Sequence, residues 1–229
     1  MAIKFTFVGH GTYLLEIGGK KIVVDPFFTS NPTTDIAADS VEADYILISH
    51  GHFDHIEDAV AMAKRTGATV IANFEIVGWL QKQGVAESQV HPQHIGGGFD
   101  YDFGRVKLTI AHHGSGLPDG SYGGNPAGLL ISAEGKNIYL ACDTALFTEM
   151  KLYSEVGIDL FVAPIGDNFT MGPDDALTAV HFVKPKVVVP CHYNTWPLIE
   201  QDGEAWGQRV EAETDTQAAI LKPGESLNI

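Results

Sequence analysis

Residues 49–55 read Ser-His-Gly-His-Phe-Asp-His, SHGHFDH, and follow directly on the apolar run Tyr45-Ile46-Leu47-Ile48. A short apolar run of this kind suits a buried strand, so three imidazoles and a carboxylate stand where that strand leaves the core. Positions 50, 52 and 54 share one side of an extended chain, and a turn into a following helix swings His55 round to join them. Such a segment can wrap around a cation. Zinc and its neighbours favour imidazole nitrogen and carboxylate oxygen, and two ions about 3.5–4 Å apart need more ligands than these four. A purely structural reading makes Asp54 the N-cap of a helix over 55–65, with Glu57 three residues on in a box-like pattern. That accounts for one Asp and for none of the histidines.

Working outward, the first third predicts strands at 2–8, 12–17 and 21–25. Gly9-His10-Gly11 and Gly18-Gly19 fall between them as hairpin signals, giving an antiparallel meander. After the 44–49 strand, the stripe Ile56, Val60, Ala63 predicts the 55–65 helix, ended by Gly67. Strands are predicted at 68–72, 105–111, 127–133, 137–142, 158–163 and 186–190, with helices at 74–82, 145–156 and 173–183. Pro173 suits a first helical position, and Asp174 and Asp175 a first turn. No linker, charge block or short-period repeat divides the sequence, so one domain over 1–229 is expected.

The 229 residues are 45% hydrophobic, enough to bury a sizeable core, and carry a formal charge of −15. No apolar run approaches the roughly 20 residues of a membrane helix. The first nine residues alternate like a strand and carry no export signal, so a cytoplasmic protein with no membrane partner is expected. Only Cys142 and Cys191 are present, too few for a disulfide framework. With no cluster of Lys or Arg, nucleic acid is not expected as a partner. Bound cations could offset part of the negative charge.

Three further candidate ligands each stand just past a strand of their own: His113 after 105–111, Asp143 after 137–142 and His192 after 186–190. Side chains beyond strand ends can converge on one edge of a sheet fold from remote parts of the chain. Each has a duller explanation alone: a loop residue, a helix cap and a turn residue.

The pattern His50-x-His52-x-Asp54-His55, preceded by a strand and Asp25-Pro26 and followed by a later His, Asp and His, resembles the metallo-β-lactamase superfamily. Gly9-His-Gly-Thr-Tyr-Leu-Leu-Glu16, Gly123-Gly-Asn-Pro-Ala-Gly128, Pro164 to Pro173 and Pro190-Cys-His-Tyr-Asn-Thr195 extend the resemblance nearly end to end. They are similar to the branch of metal-dependent hydrolases related to L-ascorbate-6-phosphate lactonase.

The resemblance implies an α/β (α+β) fold: an αββα sandwich of two mixed β-sheets packed face to face, with helices outside and metals at one edge. It implies that His50, His52 and His113 hold a first ion, that Asp54, His55 and His192 hold a second, and that Asp143 bridges them. Asp25 is expected to orient nearby ligands. His112 adjoins His113, and an alternating backbone turns only one of them to the metal; the resemblance favours His113. Cys142 stands where the superfamily usually has Gly, and both thiols are expected to pack as small buried hydrophobes.

The expected cofactors are two divalent metal ions, zinc ahead of manganese or iron. They would lower the pKa of a shared water from about 15.7 towards 7 and present hydroxide to an ester, lactone or phosphoester. Asp54 is the candidate to orient that hydroxide or relay its proton. His10, at a Gly-flanked tip, is a candidate to reach a substrate oxygen, with a structural histidine the other reading. Asn168, Met171, Tyr193 and Asn194 are candidate substrate contacts. His91 and His94 are expected at the surface, and His181 is expected to pack within its helix. The leading expectation is a metal-dependent hydrolase of a small molecule, possible as a homo-oligomer by family analogy. A nuclease or phosphodiesterase of the same superfamily, and a metal-binding regulatory scaffold without catalysis, are the alternatives.

Overall fold

The structure is a computed structural model that describes residues 3–229. In chain order the first half is β1 (Lys4–Gly9), β2 (Thr12–Ile17), β3 (Lys20–Val24), β4 (Tyr45–Leu47), α1 (Phe53–Ile56), α2 (Ala59–Thr66), β5 (Thr69–Asn73), α3 (Phe74–Lys82) and β6 (Val90–Gln93). The second half is β7 (Gly98–Tyr101), β8 (Gly104–Ile110), β9 (Ala127–Ala133), β10 (Lys136–Leu140), β11 (Leu160–Pro164), α4 (Pro173–Val183), β12 (Val187–Cys191), α5 (Gly203–Glu213), β13 (Gln217–Ala218) and β14 (Ser226–Asn228). Among the described residues these strands form two sheets of seven, ordered β14-β1-β2-β3-β4-β5-β6 and β13-β12-β11-β10-β9-β8-β7. The expected first strand's Ala2 lies outside the described residues.

The strands alternate between two apolar faces. In the first sheet Ile22, Val24, Leu47 and Ile71 point inward, while Val23, Ile46 and Val70 point outward. In the second, Ile138, Leu140, Val162 and Val189 point inward, with Tyr139, Phe161 and Val188 outward. A period of two with both phases apolar is what a strand covered on both faces requires. The outward phases receive helices. Ile56, Ala59, Met62, Ile76 and Leu80 of α1–α3 cover the first sheet, and Ala176, Val180, Val183, Trp206 and Val210 of α4 and α5 cover the second. The result is the expected αββα sandwich.

The 74–82 and 173–183 helices and the 127–133 strand fall where the sequence predicts them. The 55–65 helix is instead two helices broken after Ile56. Asp58 explains the break: its carboxylate accepts from the backbone N–H of Phe28 and Thr29 and from the Thr29 hydroxyl, tying the helix start to the loop after β3. Asp54 is not the cap, because α1 begins one residue earlier and the carboxylate turns to His10. The 145–156 stretch is a 3₁₀ helix over Thr148–Glu155. His181 is exposed rather than packed; His91 is half-buried on β6 against Phe99 and Tyr101, and His94 is exposed. No described helix is long and apolar enough to cross a membrane.

What positions the site is strand direction. β1 is antiparallel to β2 and β2 to β3, and β3 and β4 are parallel, so β1, β3 and β4 all point the same way. In the second sheet β8, β10 and β12 likewise agree in direction. The C-terminal ends of these six strands deliver His10, Asp25, the 49–55 segment, His113, Asp143 and His192.

Candidate metal centre

Four of the delivering positions hold unusual backbone: His10, Asp25, Cys142 and His192 all have φ between 46° and 57°. Non-glycine residues in the left-handed region cost energy and concentrate where the surrounding structure needs a side chain re-aimed. Each of these residues is a candidate or directly precedes one. Cys142 shows why glycine suits its position, and the thiol packs into the core between the sheets with its sulfur 3.7 Å from the Leu140 carbonyl oxygen, rather than among the imidazoles. Cys191 packs in the same core, and burial pushes both thiols up. A register shift between Phe7 and Gly9 turns the chain into His10.

The imidazoles converge on one carboxylate oxygen. Asp143 Oδ2 lies 3.0 Å from His192 Nε2, 3.4 Å from His55 Nε2, 3.5 Å from His113 Nε2 and 3.9 Å from His50 Nε2. Ligand atoms of His50, His52 and His113 lie within 4.8 Å of one another, as do those of His10, Asp54, His55 and His192. His50 Nε2 faces His52 Nδ1 at 3.1 Å, so this second histidine offers its other ring nitrogen. His113 joins the cluster; His112 is exposed with its ring against Phe147.

The spacing fits cations. Two ligands on a tetrahedral ion at about 2.0–2.1 Å stand roughly 3.3 Å apart, the separation found around Asp143. His55 Nε2 and both His192 ring nitrogens are buried with no hydrogen-bond partner among the described residues. Buried polar atoms are rarely left so, and an ion is one of the few things that explains the two that face the cluster, His55 Nε2 and His192 Nε2.

Asp25, His50 and His55 also approach one another, but Asp25 has no oxygen to spare. Its Oδ1 accepts from the Ser49 backbone N–H at 2.7 Å, and its Oδ2 from the Ser49 hydroxyl at 2.5 Å and His55 Nδ1–H at 2.8 Å. Ser49 Oγ, having given its proton to Asp25, accepts from His50 Nδ1–H at 2.9 Å. One carboxylate thus sets two imidazoles, His55 directly and His50 through Ser49, turning both Nε2 atoms to the cluster. Ser49 was within the quoted stretch, but its role depends on Asp25, 24 residues away.

His10 does not reach out to substrate. It is 1% exposed, with Nε2 2.9 Å from Asp54 Oδ2 and Nδ1 2.8 Å from Thr195 Oγ1. An ionised carboxylate only accepts, so Nε2 carries the proton and Nδ1 accepts from the threonine hydroxyl. Burial, then the neighbouring His192, lowers His10 to about 4, keeping it neutral. Gly11 beside it must be glycine, because a Cβ there would stand 2.7 Å from His55 Cε1.

Charges in the cluster are strongly coupled. Burial opposes ionisation of Asp54, but His55, His10 and His192 hold it well below the usual carboxylate range. Asp143 is likewise held down, burial being outweighed by His192 and His55. Burial disfavours protonated His192, yet Asp143 and Asp54 carry it up to about 9. His55 rises for the same reason, whereas burial pushes His50 and His113 down.

The centre forms the floor of a cavity of about 690 Å³, which His52, Asp54, His113, Asp143 and His192 help to line. Of the candidate substrate contacts, Met171 is buried in the core beneath its loop, and Asn168 is exposed but is not part of this cavity's lining. Tyr193 and Asn194 line a different cavity, of about 990 Å³, on the other side of His10. The walls over the centre are Phe53, Leu117, Pro118, Phe169, Trp196 and Leu198, none of them anticipated. The loop that carries Leu117 and Pro118 is pinned: Ser115 Oγ accepts from Gly51 N–H and donates to the Gly123 carbonyl, and Asn73 Nδ2 donates to the carbonyls of Gly123 and Asn125.

Comparison with known proteins agrees with this geometry. The sequence pattern of the beta-lactamase superfamily domain matches residues 20–193. A protein of Pelotomaculum thermopropionicum named a UPF0173 metal-dependent hydrolase is 48% identical over 232 residues, covering 99% of this chain and 100% of the relative. A similarly named protein of Bacillus cereus is 48% identical over 233 residues, 99% of this chain and 100% of its own. Among solved structures, Igni18, a metallo hydrolase from Ignicoccus hospitalis, superposes with a TM-score of 0.90 at 33% identity, covering 100% of this chain and 99% of that one. With the sheet order, the converging histidines and these likenesses together, the chain belongs to the beta-lactamase superfamily, in the branch whose members are named metal-dependent hydrolases.

Proposed function

We propose that this chain is a cytoplasmic hydrolase that cleaves a small ester, lactone or phosphoester with two divalent cations, zinc foremost. The observation that carries the reading is Asp143 Oδ2 standing 3.0–3.9 Å from four imidazole nitrogens contributed by three separate parts of the chain. His50, His52 and His113 would hold one ion and Asp54, His55 and His192 the other, with Asp143 within reach of both sets. Such ions, when bound, acidify water and polarise the oxygen of the bond to be broken.

The chain's own residues do the rest. Asp54, held by His10 Nε2–H, faces the cavity and orients the attacking water. From that position the same carboxylate relays the water's proton to the leaving oxygen as its bond breaks. For an ester, the water oxygen bonds to the acyl carbon and the bond to the alcohol oxygen breaks. Asp25 keeps His55 and His50 aimed throughout.

Elemental analysis and a panel of esters, lactones, thioesters and phosphodiesters test this together. About two ions per chain are expected, with both metal and hydrolysis lost in Asp143→Ala. Full activity after chelation and dialysis would overturn the reading.

A further inference from the structure

Although the protein is acidic overall, its few cations are distributed unevenly. Segments 5–19, 22–63, 108–135, 137–150, 152–183 and 187–208, which include every loop around the centre, contain no Lys or Arg. No Lys or Arg stands among the described lining residues of the cavity over the centre. Recognition of a phosphate or carboxylate remote from the reacting bond normally uses Arg or Lys. Here any such group would face carbon.

The walls are apolar and held in place. Phe53 is 52% exposed, Phe169 48% and Leu198 68%. Large apolar side chains left open together beside a reactive centre mark a binding surface. Phe53 is braced against Phe27 at a ring-centroid distance of 5.8 Å and Trp196 at 6.2 Å, and Trp196 rests on His10 at 4.8 Å. Opposite, Leu117 is 5% exposed, and a Cβ on Gly51 would come 3.1 Å from it, so that wall is fitted to the backbone of the ligand segment. The volume of about 690 Å³ lies in the range that encloses a small molecule.

We infer that the non-reacting part of the substrate is an uncharged apolar group, an acyl or alkyl chain of medium length, seated between Phe53, Trp196, Leu117, Phe169 and Leu198. This rests on the hydrolase reading above and narrows it. It directs the search away from phosphorylated sugar acids, whose remote anion would find no partner among these side chains.

The test is a series of 4-nitrophenyl esters from acetate to decanoate on metal-loaded protein, with the octanedioate monoester as the matched substrate ending in a carboxylate. Each buried methylene is expected to raise kcat/KM about three- to fourfold until the cavity is filled, and the charged monoester to fall at least tenfold below octanoate. Phe169→Ser combined with Leu198→Ser, both at exposed positions, is expected to flatten the chain-length series. Leu198→Lys is expected to favour the charged monoester. A flat series, or a charged monoester cleaved as fast as octanoate, overturns the inference.

Binding supplies a readout independent of turnover. 2-Decanone should quench the fluorescence of wild-type protein with saturation but not that of Trp196→Phe, and the serine pair should weaken it at least fivefold. If metal-loaded protein hydrolyses no member of the broad panel, the hydrolase reading fails. The ketone then decides the apolar seat alone, and absence of saturable binding sinks it.

Discussion

At the scale of single residues, the centre depends on partners that set the direction of each imidazole. Asp25→Asn removes the charge that Ser49 and His55 donate to, and presents an amide N–H where an acceptor is needed. Loss of such an orienting carboxylate typically costs 10–100-fold in metal affinity, measurable by competition with a fluorescent chelator. His113→Ala should empty the site far more than His112→Ala, since only the former ring stands by Asp143; elemental analysis of the two variants checks it. Protonation follows from the same contacts. His192, raised to about 9 from 6.5, stabilises the metal-free fold fully below pH 6.5 and loses that contribution as pH rises through about 9. His10, lowered to about 4, acts the other way: the unfolded chain takes up the proton first, so stability falls as pH drops from 6.5 towards 4. Metal-free protein should therefore melt highest near pH 6.5. Metal must displace the protons on His55 and His192, so loading at pH 7.5 should release about two protons per chain, read by calorimetry in buffers of different ionisation enthalpy.

At the scale of elements, Asn73 shows how one side chain joins three. It ends β5, caps α3 by accepting from the Ile76 N–H at 2.9 Å, and its amide holds the 114–126 loop through Gly123 and Asn125. Asn73→Ala should cost about 1–3 kcal/mol, from the lost cap and from carbonyls left without a donor, as measured by urea unfolding. Helix α3 was legible because its apolar stripe and terminal residues agree. The strands β6 and β7 were not: β6 contains Pro92, β7 begins in a run of glycines, and both lie at sheet edges where such residues are tolerated. Helix α5 was missed for a similar reason. Gly203 and Gly207 dilute its pattern, and at Gly207 a Cβ would press on the tip of Ile220 at 2.9 Å.

At the scale of the whole molecule, the ligands sit on loops and on the one-turn helix α1, while the three apolar clusters run through the sandwich beneath them. Removing the metal should therefore leave the fold intact, with unchanged far-ultraviolet circular dichroism. Melting should fall, since ligand present at about a thousand times its dissociation constant stabilises by about 4 kcal/mol. A chain that unfolds outright on chelation would mean the sandwich cannot hold its own loops.

The sequence alone determined the metal-binding segment, because three imidazoles and a carboxylate at short spacing need no tertiary information to be seen together, and most of the core strands, because their apolar runs are local. The resemblance carried the distant His113, Asp143 and His192. Only the tertiary structure decided what surrounds them: that Asp25 works through Ser49, that His10 serves Asp54 instead of substrate, and that the cavity walls are Phe53, Phe169, Trp196 and Leu198 rather than Asn168, Met171, Tyr193 and Asn194. The physical reason is one of range. Metal-ligand spacing is written along a few residues of chain, whereas a side chain's partner or its exposure is set by which strand ends meet at the sandwich edge.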